Sequence, residues 1–133
     1  MSVSFATTGF YAGLLTLLLI VHSVNVIRMR LKFKVGLGEG AEDQRPLIKA
    51  VRIHGNFVEY MPLSLLLMAG YETAGGNVQL LHVLGAVLVI GRVFHAMGLN
   101  KSIGTSRERQ IGMLSTFIVM LVLAVENIRL FLL

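Results

Sequence analysis

RIHGNFVEY, residues 52–60, stands directly before MPLSLLLMAG, residues 61–70. The second stretch is fit for lipid. The first places an arginine, a histidine, an asparagine and a glutamate at its mouth. Arg52, Asn56 and Glu59 are spaced i, i+4, i+7, which puts them on one face if the segment is a helix. Ionisable groups that enter a membrane span usually face the bundle interior and pair there. The stretch therefore predicts a helix that carries a polar site into a membrane.

The rest of the chain agrees. Of its 133 residues, 55% are hydrophobic and 14% charged, with mean hydropathy +0.76. Soluble domains carry about 25% charged residues. Four apolar segments can be counted, at about Phe10–Ile27, Leu47–Tyr71, Val78–Met97 and Ile111–Leu133. Each approaches the roughly 20 residues a helix needs to cross the hydrocarbon core. Backbone groups in lipid must be satisfied internally, so the segments are expected to be helices. The expected fold is an all-α membrane bundle of four transmembrane helices, a single domain over residues 1–133. The opening MSVSFATTGF has no basic n-region, and the apolar run after it is expected to be a retained span.

The net charge of +5 is localised. Arg28, Arg30, Lys32, Lys34, Arg45 and Lys49 lie between the first two segments, and Lys101, Arg107 and Arg109 between the last two. ETAGGN, residues 72–77, has no basic residue. The positive-inside rule then puts the first and third loops in the cytoplasm and both termini on the other side. The charge reads as orientation in a bilayer, and no nucleic-acid partner is expected. With no cysteine, thiolate metal sites and a cysteine nucleophile are excluded, and no metal site is expected.

All four segments bring a cation to one end: Arg28, Arg52, Arg92 and Arg109, with His95 one turn from Arg92. Glu59 is the one carboxylate in this set, expected to pair with Arg52 or Arg92. The excess of cations calls for an anionic ligand, and arginine forks suit carboxylates. His22 and Asn25 are expected to be interhelical hydrogen-bonding residues, His82 to be interfacial, and Glu126 with Arg129 to form a local pair.

RIHGNFVEYMPL resembles the signature of the MAPEG family, the membrane-associated proteins in eicosanoid and glutathione metabolism. VNVIRMRLKFKVGLGEG (24–40) resembles that family's first helix end and loop, and VIGRVFHAMG (89–98) its third helix. The likeness is greatest to small bacterial members. It implies a homotrimer in a bacterial inner membrane that binds glutathione between subunits near the cytoplasmic face. It implies a glutathione-dependent transferase or peroxidase acting on a lipophilic small molecule or lipid. Arg28, Asn56, Glu59 and His95 match residues that hold glutathione, Arg52 and Arg92 match supporting arginines, and Arg109 matches the arginine assigned to the thiol. Gly55 stands where mammalian members have a further arginine, and Leu99 and Met113 where some have tyrosines. Two other readings stand beside it: the resemblance also allows a trimer of the same fold that binds lipid or glutathione without chemistry, and four spans in a short chain allow a small multidrug exporter. The exporter is disfavoured because the first segment has no acidic residue.

Overall fold

The computed structural model describes residues 3–101 and 106–133. Four helices account for nearly all of them: α1 (Ala6–Phe33), α2 (Arg45–Thr73), α3 (Val78–Lys101) and α4 (Arg107–Leu132). Each helix overruns the apolar run that predicted it. Hydropathy marks the length inside lipid, whereas the helix persists into the basic flanks, as with Arg28, Arg30 and Lys32 on α1. Three helices, α1, α3 and α4, are long and apolar enough to cross a membrane by composition alone. α2 is as long, but Asn56, Glu59 and Pro62 dilute its hydropathy. Four spans were expected; α2 stands out because it carries polar groups into the bundle.

The core joins all four helices: Tyr11 and Leu15 from α1, Phe57, Met61, Met68 and Tyr71 from α2, Leu81, Leu84 and Leu88 from α3, and Val119 and Leu123 from α4. Outward positions remain apolar, with Leu17 64%, Leu66 67% and Leu121 65% exposed. A soluble protein would not leave so much apolar area uncovered, but lipid covers it without cost.

α3 and α4 cross through glycines. A Cβ on Gly112 would lie 2.6 Å from the Gly91 carbonyl oxygen and 2.7 Å from the His95 nitrogen, both backbone atoms. A Cβ on Gly98 would run into the Arg109 backbone nitrogen. Small residues let membrane helices approach closely where no hydrophobic force drives them together. This contact brings the Arg92–His95 turn of α3 against the first turns of α4.

The loop ends are tied by side chains. The Glu72 carboxylate accepts from the backbone N–H groups of Thr7 (2.8 Å) and Thr8 (2.7 Å). It thus satisfies first-turn donors of α1, which has no side-chain N-cap of its own. Asn77 Oδ1 accepts from Leu80 N at the start of α3, and Ser106 Oγ accepts from Arg109 N at the start of α4. Asn127 Nδ2 donates to the Leu67 carbonyl, fastening α4 to α2. His82, expected at the interface, is exposed near the start of α3 and is also engaged by α1: the Tyr11 hydroxyl lies 2.9 Å from its Nδ1. Glu126 and Arg129 form the local pair expected, at 2.7 Å.

Candidate functional site

The buried face of α2 is Ile53, Phe57, Met61, Ser64 and Met68. The face bearing Arg52, Asn56 and Glu59 lies beside it. Asn56 is half-buried, while Arg52 and Glu59 are exposed. The expected buried pair of Glu59 with Arg52 or Arg92 is therefore absent. Arg52 reaches Glu39 in the loop instead, at 3.9 Å. Among the described residues, no ion pair involves Glu59. The i, i+4, i+7 spacing establishes that three residues share a face, not that the face points inward.

Arg92 is buried at 2% exposure. Its Nη2 donates to Asn56 Oδ1 at 2.5 Å. Its Nη1 reaches Thr116 Oγ1 at 3.4 Å and Met113 Sδ at 3.8 Å, both on α4. His95 Nδ1 lies 3.5 Å from Nη2, and the guanidinium carbon sits 5.9 Å from the centre of the Phe57 ring. Arg92 thus joins α2, α3 and α4, and its bond to Asn56 orients the amide on the partly open side. His95 is equally buried, against Gly112, and its Nε2 has no hydrogen-bond partner. Of the two, only Arg92 reaches Asn56, and His95 contacts Arg92 behind it.

Arg28 is elsewhere. It donates to Asn25 Oδ1 on its own helix, at 3.1 Å. Asn25 was expected to bridge helices; it serves Arg28 instead, while His22 packs edge-on against Phe57 of α2. His22, Asn25 and Arg28 line an open groove of about 590 Å³ with Ile53 of α2 and Asn100 of α3. Ligand sites commonly span about 300–1,000 Å³. Asn56, Glu59 and Arg109 are not in its wall. Deeper between α1 and α2 lies an apolar cleft of about 260 Å³, lined by Leu15, Leu19, Phe57, Val58, Met61 and Pro62 among others.

The polar residues therefore stand on two flanks of α2. Val58 and Pro62 line the cleft shared with α1. Tyr60 meets Phe117 of α4, ring centres 5.5 Å apart. Asn56 is four residues before Tyr60 and so shares its side. Arg28 belongs to one flank and Asn56 to the other, with Glu59 on the outward face next to Asn56. Arg109 is half-buried in the first turn of α4, its backbone against Gly98.

Comparison with known proteins matches this arrangement to a family. A model of the MAPEG family fits residues 8–129. The chain belongs to the MAPEG family. It is 36% identical over 121 residues to the inner membrane protein YecN of Escherichia coli K12, covering 91% of this chain and 89% of that one. YecN of Escherichia coli O6:H1, strain CFT073, matches at the same identity and coverage. Fold class and membrane character follow from this membership together with the apolar helices.

Two departures from mammalian MAPEG members have a structural setting here. Leu99 packs with Ile53 and Ala96 in a small apolar cluster, and Met113 lends its sulfur to Arg92. Neither supplies a hydroxyl. Gly55 is different, since a Cβ there meets nothing within 4 Å. Gly55→Arg is expected to fold and, if glutathione binds, to raise its affinity about tenfold, one charge-assisted hydrogen bond. Calorimetric titration in detergent would check this. Unchanged affinity would put residue 55 beyond the ligand's reach.

Proposed function

We propose that this MAPEG protein is a glutathione-dependent transferase or peroxidase acting on a lipophilic electrophile, with glutathione held between the subunits of a homotrimer. The observation that carries the proposal is Glu59, a carboxylate left uncovered on a membrane helix one turn deeper than Asn56. Ionisable groups within membrane helices are costly and are ordinarily paired. Something cationic must cover it. Glutathione offers an ammonium for Glu59 and two carboxylates for Arg28 and Arg52.

The separation of the two flanks supports a shared site. Arg28 on one flank and Asn56 on the other, with Glu59 next to it, can meet across a subunit boundary. Such a head-to-tail contact joins unlike surfaces and closes into a ring. In that ring Arg92, with His95 behind it, holds Asn56 in place. Arg109, at the positive end of α4, stabilises the glutathione thiolate, which is the reactive form. The thiolate attacks the electrophile, and its sulfur–carbon bond forms as the leaving group departs. The apolar cleft between α1 and α2 gives the electrophile a route from the bilayer. The basic first and third loops support a cytoplasmic site, with both termini on the other side.

The test is glutathione binding and conjugation of an aromatic halide by purified protein, compared with Glu59→Gln and Arg109→Ala. Glu59→Gln is expected to lose most of the affinity while keeping the subunit's fold, because no described partner is orphaned. Arg109→Ala is expected to keep binding and lose the thiolate absorbance and the rate. Tight binding with no thiolate signal in the parent protein would favour the non-catalytic reading, which the absent tyrosines also favour. No glutathione binding at all would end the enzymatic reading and leave only the lipid-binding one.

A further inference from the structure

A second hollow, of about 280 Å³, adjoins the groove beside α1. Asn25, Arg28 and Asn100 line both. The hollow adds Lys32 from α1 and Pro46 and Lys49 from α2. Taken together the surface is graded. Its floor is Ile20, Val21, Val24 and Ile53, and the first three are more than half exposed. Its middle is two amides and a guanidinium. Its rim is two ammonium groups. No carboxylate is in either wall.

These groups are only partly used by the protein. Arg28 gives one hydrogen bond to Asn25 and Lys49 gives one to the Asn100 carbonyl, at 2.9 Å. A guanidinium has five N–H donors and an ammonium three. The remaining donors of three cations converge on one opening. Topology alone calls for basic residues at this end of the bundle. It does not call for their convergence on a groove with an apolar floor and no acidic group.

We propose that this groove binds an anionic glycerophospholipid, with the phosphate between Arg28, Lys32 and Lys49 and an acyl chain along Ile20, Val21 and Val24. A free phosphate would satisfy the rim alone. The floor selects a phosphate carried on a hydrocarbon chain, and the ordering from apolar to amide to cation follows a lipid from tail to headgroup. Juxtamembrane cations attract anionic headgroups in just this zone. The inference shares Arg28 with the glutathione reading, whereas Lys32 and Lys49 belong to the lipid site alone, and the test is built on those two.

The experiment is thermal unfolding of the full chain in mild detergent, with phosphatidylglycerol, phosphatidylcholine or inorganic phosphate added. Phosphatidylglycerol is expected to raise Tm by roughly 4 °C or more, and the other two by much less. Lys32→Ala/Lys49→Ala is expected to abolish that rise. Arg45→Ala/Arg107→Ala removes the same charge from the same end, at exposed positions outside the groove, and is expected to keep it. An equal loss in both double variants would reduce the effect to general surface charge and overturn the proposal. So would an equal rise with phosphatidylcholine, or a rise with inorganic phosphate that matches phosphatidylglycerol. Glutathione binding retained in Lys32→Ala/Lys49→Ala while the lipid response is lost would show that the rim lysines serve the lipid and not glutathione.

Discussion

Gly112→Val is expected to lower Tm by about 10 °C or more and to abolish ligand binding with it. Two terms oppose each other. Removing glycine from a helix interior gains up to about 1 kcal/mol in helix propensity. Overpacking a close contact costs about 1–3 kcal/mol, and more where the obstacle is backbone. At Gly112 the added carbon would meet the Gly91 carbonyl and the His95 nitrogen inside 3 Å, so no side-chain rotation relieves it. α3 and α4 must separate, and the separation carries Arg92 away from Thr116 and Met113. Gly13→Ala is the control. It too is a helical glycine, but its Cβ would meet nothing within 4 Å, so propensity alone decides and Tm is expected to hold or rise slightly. Differential scanning fluorimetry in detergent separates the two. A wild-type Tm for Gly112→Val would mean that the α3–α4 crossing is looser than its geometry implies.

The helices are legible in the sequence because apolar runs near 20 residues have few other readings in a chain this poor in charge. What the runs leave out is how the helices turn toward one another. Arg52, Asn56 and Glu59 form a conspicuous polar face, yet the packed face is Ile53, Phe57 and Met61, one residue further on. In a membrane helix the polar side need not be the inner side, since another subunit or a ligand can cover it. His22 and Asn25 read as interhelical residues from type alone, but Asn25 turns to Arg28, three residues on. The groove could not be read at all. Ile53 and Asn100 are 47 positions apart, and both reach it only because α2 and α3 start and end at the same level as Arg28. The Glu72 clamp on Thr7 and Thr8 is hidden for the same reason, since the partners are 65 and 64 positions apart. The glycines of α3 and α4 are the one sign of their crossing that the sequence carries. Gly91 and Gly98 are seven residues apart, hence on one face of α3, which marks a close crossing.

Arg92→Met is expected to leave Tm unchanged or raise it, while weakening glutathione binding at least tenfold. A buried arginine would ordinarily be held by a carboxylate, and removing it would orphan that carboxylate at a cost of about 3–5 kcal/mol. Here no described ion pair includes Arg92. Its contacts are an amide, a hydroxyl, a thioether, an imidazole and the Phe57 face, and its Nε has no partner. Methionine fills similar space without a charge to desolvate, and exchanging buried ions for apolar groups is often neutral or stabilising by about 1–4 kcal/mol. The loss falls on Asn56. Its Oδ1 accepts the 2.5 Å bond from Arg92, which orients the amide toward the proposed glutathione site. Hydrogen bonds to charged groups contribute about 1.5–3 kcal/mol, so a freely rotating Asn56 should cost a factor of ten or more in affinity. Melting curves and titration calorimetry on one preparation read both quantities. A large fall in Tm would mean that the guanidinium stabilises the fold itself. Unchanged affinity with unchanged Tm would mean that Asn56 does not depend on Arg92 for its place in the site.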